Sequence, residues 1–451
     1  MSSAPVSSPY GRSLEHPDGL EPTVPESVSD TGLSEEFIVD LLLKSLYVQG
    51  ARTGQQLTAA VRLPFAFVDD RLLSLQQRRL VEVRGTTGPN RGGYVFDLTG
   101  EGRERAREAL ASSQYVGPAP VPLGQYRTWV EKQSIRNVHV TREIVRNGFQ
   151  NMVLSEAVHD VLGPSINSAK SLFLYGAPGN GKTMIAETIS RMLGGDIFVP
   201  FAVEIEGQIM VVFDPVYHHP EEGLDPLEDN GEAVTGWLKA PPSYDQRYAK
   251  VRRPVVLTGG ELTLEQLDLQ YDSYSKMYQA PFQLKANGGV LILDDFGRQR
   301  VPPKDLLNRW IVPLEKRIDF LTLHTGGKFP VPFDCLLIMA TNLEPAQLVE
   351  EAFMRRIHYK IQIEGPRPEQ YAEIFSRCCA ERGIEYDQQA VNHIYRQWYE
   401  RRGIHPRACH PRDILDHLVD IARFYEGTAV LDPDLVDRAC RSYFLDDSRE
   451  E

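Results

Sequence analysis

GAPGNGKT, Gly176 to Thr183, follows the apolar run SLFLY and precedes the helical pattern MIAETISRML. It matches the phosphate-loop pattern G-x-x-x-x-G-K-[ST] at every fixed position. Gly176, Gly179 and Gly181 permit backbone turns that aim successive N–H groups at one point, and the helix that follows adds its positive end there. Ala177, Pro178, Asn180 and Met184 complete the cradle by position. Lys182 offers a point charge to β and γ phosphates, and Thr183 a hydroxyl ligand for Mg²⁺. ATP and Mg²⁺ are the cofactors this loop implies.

Outward from the loop, SLFLYG, IFVPFAV, VLILDD, CLLIMATN and HYKIQI are short apolar runs of the kind buried on both faces of a parallel sheet. Their alternation with helices predicts a three-layer α/β domain over residues 140–365. After Gly365 the pattern is helical to about 445, with starts at Arg367, Asp387, Pro411 and Pro433 and stops at Gly383, Gly403 and Gly427. VLILDD delivers Asp294 to a strand's carboxyl end, where a carboxylate can hold Mg²⁺ and its water shell, and Asp295 stands where a water-activating base is wanted. CLLIMATN presents Thr341 and Asn342 in the same way, Asn342 being suited to orient the attacking water.

At these residues the chain resembles AAA+ ATPases over roughly 140–445. GAPGNGKT resembles the family's Walker A, VLILDD its Walker B and MATN its sensor 1. EAFMRRI resembles the arginine-finger segment, which implies that Arg356, with Arg355 beside it, reaches the γ-phosphate of a neighbouring subunit. HPRDIL resembles sensor 2, which implies that Arg412 folds onto the nucleotide from a helical lid, 366–445. Read alone, these arginines are surface or ion-pair residues. The run from PFQLKANGG to the hairpin DFLTLHTGGKFPVPFD is similar in layout to MoxR-type ATPases and sigma-54 activators, and the GAFTGA loop of the latter is absent. The resemblance further implies a homo-oligomer, a hexamer. Asp295 departs from the family's usual Glu; a displacement of about 1 Å can cost on the order of 100-fold in rate, so slow hydrolysis is one expectation.

The N-terminal third reads differently. Residues 1–32, rich in Ser, Pro and acid, are expected to be disordered. Over 33–115 the order is helix, helix, helix, hairpin, helix, that of a winged helix-turn-helix, and YVFDLTGEGRERAREAL resembles the wing and following helix of MarR-like regulators. On its third helix Phe65, Val68, Leu72 and Leu75 form the expected core face, with Phe67, Asp70, Arg71, Ser74, Gln77 and Arg78 opposite. Residues 33–110 carry 11 basic and 10 acidic side chains, a weak electrostatic footprint for DNA. A Pro/Gly-rich linker, 116–139, is expected to separate this unit from the ATPase domain.

The formal net charge is −13. Arg12 against Glu15, Asp18, Glu21, Glu26 and Asp30 leaves −4 in residues 1–32, and 214–237 hold seven acids with no Lys or Arg. The rest is near neutral, so the total says little about partners. The stretch at about 214–250, with Asp214, His218 and His219, is read as a solvated acidic insertion in preference to a metal site, because no ligand spacing appears. Five scattered cysteines without a CxxC pair, no signal pattern and no apolar run of membrane length point to the cytoplasm. The expected activity is that of an oligomeric ATPase that remodels a protein partner, recruited by the winged helix; the alternative is an ATP-switched DNA-binding regulator.

Overall fold

The computed structural model describes residues 20–220, 243–344 and 354–444. Five parallel strands form its central sheet, in the spatial order Val255–Thr258, Val290–Leu293, Leu336–Thr341, Leu172–Tyr175 and Tyr359–Gln362. Every residue of Val290–Leu293 and Leu336–Thr341 is buried. Because strand side chains alternate between faces, Leu172, Leu174, Ile292, Ile338 and Ala340 join one core with the helices Arg142–Gly148, Glu156–Asn167 and Lys182–Met192. Phe173, Leu291, Leu293, Leu337 and Met339 join the other, with Phe296, Leu306 and Trp310. The architecture is a three-layer α/β sandwich with a C-terminal helical region.

One strand assignment needs correction. IFVPFAV does not enter this sheet: Asp196–Pro200 pairs antiparallel with Tyr248–Arg252, and Ala202–Ile205 with Gln208–Val211. The vacant edge is filled by Val255–Thr258, a run of only four residues that the apolar pattern does not single out. The run ends at Pro200, whose missing N–H suits the end of the two-stranded ladder it joins. Ala202–Ile205 and Gln208–Val211 belong to a second five-stranded sheet with Val121–Pro122, Gln270–Asp272 and Met277–Gln279. The hairpin Ile318–Thr322 with Lys328–Pro332 forms as expected, turning at Gly326 with φ +91°.

The N-terminal unit runs through helices Glu35–Gln49, Gly54–Val61 and Phe65–Gln77, a three-stranded sheet with Tyr94–Leu98 at its centre, and helix Gly100–Ser112. Ser34, Thr53 and Thr99 cap three of these helices through their side chains. The third helix is rotated from the expected setting: Phe67 is buried and Phe65 is 37% exposed.

The stretch 116–139 is no free linker. Val121–Pro122 pairs with Ala202–Ile205, and helix Leu123–Lys132 buries Tyr126 and Trp129. Of the expected disordered tail, residues 1–19 lie outside the described residues. From Leu20 the chain is ordered, with a capping box of Ser27 and Asp30 on the short helix Val28–Thr31. The physical reason is Arg247. Its side chain is 2% exposed and its pair Asp245 is 4% exposed, and its guanidinium donates to the carbonyls of Thr31 (2.9 Å) and Pro120 (3.4 Å) and to Gln125 Oε1 (3.3 Å). One buried cation thus ties the tail, the expected linker and the segment around Asp245 together; removing one member of such a pair costs about 3–5 kcal/mol.

The acidic insertion falls largely outside the described residues, at 221–242, while its flanks are ordered. His218 is buried: Nδ1 accepts from Asp214 N–H at 2.8 Å and Nε2 donates to the Lys285 carbonyl at 2.9 Å. No cluster of metal-ligating side chains occurs among the described residues. The C-terminal region packs Pro368–Arg382, Gln388–Ile394, His410–Phe424 and Pro433–Tyr443 around Tyr371, Phe375, Trp398 and Leu418; Gly383 ends the first helix in the left-handed conformation as expected. Among the described residues no helix is long and apolar enough to cross a membrane.

Burial pushes His218 from 6.5 down to about 4. The unfolded chain therefore binds the extra proton first, so this contribution is full above pH 6.5 and is lost as pH falls toward 4. The thermal midpoint is expected to drop over that window and His218→Gln to flatten the slope there; a slope unchanged by the substitution would contradict this account.

Candidate functional site

The carboxyl ends of three adjacent strands converge on one edge of the sheet. Leu172–Tyr175 runs into the loop 176–181, Val290–Leu293 into Asp294 and Asp295, and Leu336–Thr341 into Asn342. In open α/β sheets this edge is where ligands bind. Gly176, Gly179 and Gly181 hold φ of +135°, +81° and +83°. A Cβ at Gly176 would collide with the Ile363 carbonyl, and one at Gly179 would lie 2.5 Å from Cys409 Sγ. Ala177, Pro178 and Gly179 are exposed at the mouth. Asn180 is buried and staples the loop, its amide donating to the Ile363 carbonyl (3.4 Å) and its oxygen accepting from Ala408 N–H (3.2 Å). The helix Lys182–Met192 starts without a side-chain cap. Its first N–H groups are left for an anion.

The reactive side chains are satisfied internally. Lys182 Nζ donates to the carbonyls of Gly176 and Ala177, both at 2.9 Å. Burial lowers its pKa, Asp294 and Asp295 oppose that shift, and Arg407 adds to it. Thr183 Oγ1 donates to Asp294 Oδ2 at 2.8 Å, so the two expected Mg²⁺ ligands already touch. Asn342 Nδ2 donates to Asp295 Oδ1 at 3.1 Å. Asp295 is strained in the left-handed region with φ +49°. Its backbone N–H donates to Asp294 Oδ1 (3.0 Å), and Gln299 Nε2 donates to the Asp294 carbonyl (3.1 Å). Gln299 was not singled out in the sequence; it fixes the turn that aims both acids. Thr341 turns inward, bonding the Phe296 carbonyl at 2.6 Å. Met184 is 50% exposed beside the loop.

A glycine-lined nest at a helix N-terminus, with a lysine inside it and a hydroxyl–carboxylate pair at its rim, fits a nucleotide's phosphates and Mg²⁺. The three expected arginines are not gathered there. Arg412 is 56% exposed and binds Asp413 at 2.9–3.0 Å. Arg355 and Arg356 lie at the opposite edge of the sheet, where the Arg356 carbonyl accepts from Ser171 Oγ (3.2 Å) and its Nε donates to Glu315 (2.6 Å). The lid meets the loop through a different arginine. Cys409 N–H donates to the Gly179 carbonyl at 2.9 Å, and the Arg407 side chain passes 3.6 Å from a Cβ placed on Gly179. His410 braces this segment: its Nδ1 accepts from Arg407 N–H at 3.3 Å, and its ring stacks on Tyr399 at 5.7 Å between centroids. A signal existed, because His-Pro-Arg occurs twice, at 405–407 and at 410–412, and the first copy is the one against the loop.

Comparison with known proteins adds four likenesses. A family described as "Domain of unknown function (DUF8689)" matches residues 367–442, within the helical region. A vesicle-fusing ATPase of Dictyostelium discoideum is 43% identical over 54 residues, which is 12% of this chain; the chain spans 7% of that protein's length. Among solved structures, the RuvB Holliday junction branch migration motor of Thermotoga maritima is 14% identical, with 66% of this chain and 72% of that one covered and a TM-score of 0.37. NtrX of Brucella abortus in complex with ADP is likewise 14% identical, with 74% and 64% covered and a TM-score of 0.37.

Gly179→Ala places a methyl group on Cys409 Sγ and in strained backbone. Affinity for a fluorescent ATP analogue is expected to fall by about tenfold or more, with a thermal midpoint within about 5 °C of the parent; undiminished affinity would show that the lid–loop contact is dispensable.

Proposed function

We propose that the chain is a Mg²⁺-dependent ATPase of the AAA+ type that works as a homo-oligomer, a hexamer, and remodels a protein partner. The observation that carries this reading is the Thr183–Asp294 hydrogen bond at 2.8 Å across a fully formed phosphate nest. On binding ATP, Lys182 exchanges the Gly176 and Ala177 carbonyls for β and γ phosphate oxygens. Thr183 and Asp294 hold Mg²⁺, which when bound neutralises charge shared by those phosphates. Asn342 releases Asp295 and orients water. Asp295 takes a proton as the water oxygen bonds to the γ-phosphorus, and the bond to the β–γ bridging oxygen breaks to leave ADP and phosphate. Arg407 reaches the nucleotide from the lid of the same chain, in place of Arg412; Arg356, with Arg355, serves a neighbouring copy.

The N-terminal unit is read as a winged helix that docks protein. Its core is continuous with the second sheet through Ala202 and Ile209, so a partner held there is coupled to the ATPase domain. The DNA reading needs free cations on the third helix. Arg71 instead pairs with Glu35 and Arg78, just past the helix end, with Glu36 (3.4 Å), while Asp69 of the helix holds Arg91 of the turn before Tyr94–Leu98 (2.7 Å); these pairings favour a protein partner. A cytoplasmic location is consistent with five cysteines that all remain free thiols.

ATP hydrolysis is expected to vanish in Lys182→Ala, and Asp295→Asn to retain nucleotide binding while losing turnover; a wild-type rate equal to that of Lys182→Ala across protein concentrations would end the ATPase reading. Arg407→Ala is expected to lower kcat/KM by about 10- to 100-fold and Arg412→Ala by less than about threefold. The reverse order would return the lid role to Arg412.

A further inference from the structure

Residues 20–27, LEPTVPES, run across a groove walled by aromatic rings. Covalent geometry sets most of their course. Pro22 and Pro25 hold φ at about −65°, and each turns the residue before it, Glu21 and Val24, toward extended backbone. A segment so constrained takes the polyproline form, whose three-residue turn puts positions i and i+3 on one side. Burial follows that period: Pro22 and Pro25 are buried, Thr23 between them is exposed and Val24 is half-buried.

The receiving surface joins Trp129 of the helix Leu123–Lys132, Phe198 of Asp196–Pro200 and Tyr248 of Tyr248–Arg252 in one buried cluster, with Leu20 and Tyr244 packed against it. Trp129 meets Phe198 and Tyr248 at centroid distances of 6.0 and 5.9 Å, and Tyr244 meets Phe198 at 4.9 Å. Aromatic grooves of this kind suit polyproline segments, because rings pack on prolines and a chain already stiff loses little freedom on docking.

The strap fills this groove incompletely. The Trp129 indole N–H is buried and has no acceptor, so the strap places no carbonyl within its reach. A cleft of about 500 Å³ stays open between the strap and the helix, with Trp129 and Lys132 on its wall. Among the described residues, Leu20 to Pro25 make a single hydrogen bond, from Asp245 N–H to the Pro22 carbonyl at 2.7 Å. From Ser27 onward the chain is pinned by its capping box and by Arg247 on the Thr31 carbonyl. Residues 20–26 can therefore leave while that anchor stays. Charge also has a direction here: Lys132 Nζ stands 5.7 Å from the Trp129 ring centroid, and the strap's prolines are flanked by the exposed Glu21 and Glu26.

We propose that the groove is a receptor for a proline-rich segment with acidic flanks, carried by a partner protein, and that residues 20–26 are its self-supplied occupant at rest. The partner's segment lies along Trp129, gives the indole N–H a carbonyl and sets an acidic residue toward Lys132, in exchange for the strap. Asp245 and Arg247 line the same cleft, so the exchange is made at the joint that fixes the tail.

The test uses the full-length chain without nucleotide and, as probe, a fluorescent peptide of ten prolines between two glutamates, read by anisotropy. The tethered strap competes at an effective concentration on the order of millimolar, so the wild type is expected to bind the probe weakly. Pro22→Ala with Pro25→Ala loosens the strap and is expected to bind about tenfold tighter or more; Pro25→Ala alone gives the same sign at about threefold should the double variant be unstable. Adding Trp129→Phe, which keeps a ring and removes the N–H, is expected to lower that affinity by about three- to tenfold. Adding Lys132→Glu is expected to lower it by about threefold. A glycine–serine peptide between the same glutamates is expected not to bind. No gain on loosening the strap, equal binding of the glycine–serine peptide, or affinity indifferent to Trp129→Phe or to Lys132→Glu would each overturn the proposal. Sedimentation separates a different occupant: nucleotide-free self-association of the wild type that is lost in the double variant would assign the groove to a second copy's strap and overturn it likewise. Because binding is read without nucleotide, the result stands apart from any failure of the ATPase reading.

Discussion

The strand Leu172–Tyr175 is hydrogen-bonded in parallel on both sides, to Leu336–Thr341 and to Tyr359–Gln362, and the site depends on that double pairing. Parallel register places the carboxyl ends of neighbouring strands side by side, so the loop after Tyr175, Asn342 after Thr341, and Asp294 one strand further on meet without long-range search by their side chains. The same register sends the amino ends, and with them Arg356, to the far edge. Separation of the glycine-lined nest from Arg356 is thus a property of the sheet. A chain folded this way divides these polar groups into two halves, one at each end of the strands.

Each half is closed on itself. Lys182 is occupied by two carbonyls, Thr183 by Asp294, Asn342 by Asp295, Arg356 by Glu315 and Arg412 by Asp413. Of these only Lys182 is buried, and a buried polar group left without a partner costs about 1–3 kcal/mol, so the chain holds its lysine on the Gly176 and Ala177 carbonyls. Ligand binding then becomes an exchange of partners, whose net gain is smaller than the gross strength of the new bonds. Specificity follows: only a ligand that satisfies Lys182, Thr183 and Asp294 together improves on the resting arrangement.

The phosphate loop, both acids, Asn342 and four of the five sheet strands were legible because each is local, a motif or an apolar run with its own ending. What the sequence hid was non-local. Val255–Thr258 takes the sheet's edge by pairing with Val290–Leu293, while the stronger apolar run pairs with Tyr248–Arg252, far along the chain. The segment 116–139 has the Pro and Gly of a linker, yet it is fixed by Arg247, more than a hundred residues away in the chain. Phe65 and Phe67 differ by a rotation of the helix that its own periodicity leaves open. The choice between two His-Pro-Arg tripeptides turned on which one packs against Gly179, and no local rule states that.

Asp295 shows how a local departure acquires a reason. Its backbone is left-handed, a region where Asp and Asn are several-fold enriched among residues with a Cβ, because a short polar side chain can bond locally. The longer Glu lacks that advantage at φ +49°. The turn also tilts the side chain toward the neighbouring strand end, where the Asn342 amide meets it at 3.1 Å. The shorter carboxylate therefore sits in a position set by backbone and amide together, and its reach toward water is governed by how readily Asn342 lets go. On the proposed ATPase reading, rate at this site is a matter of the Asn342 exchange as much as of the missing methylene.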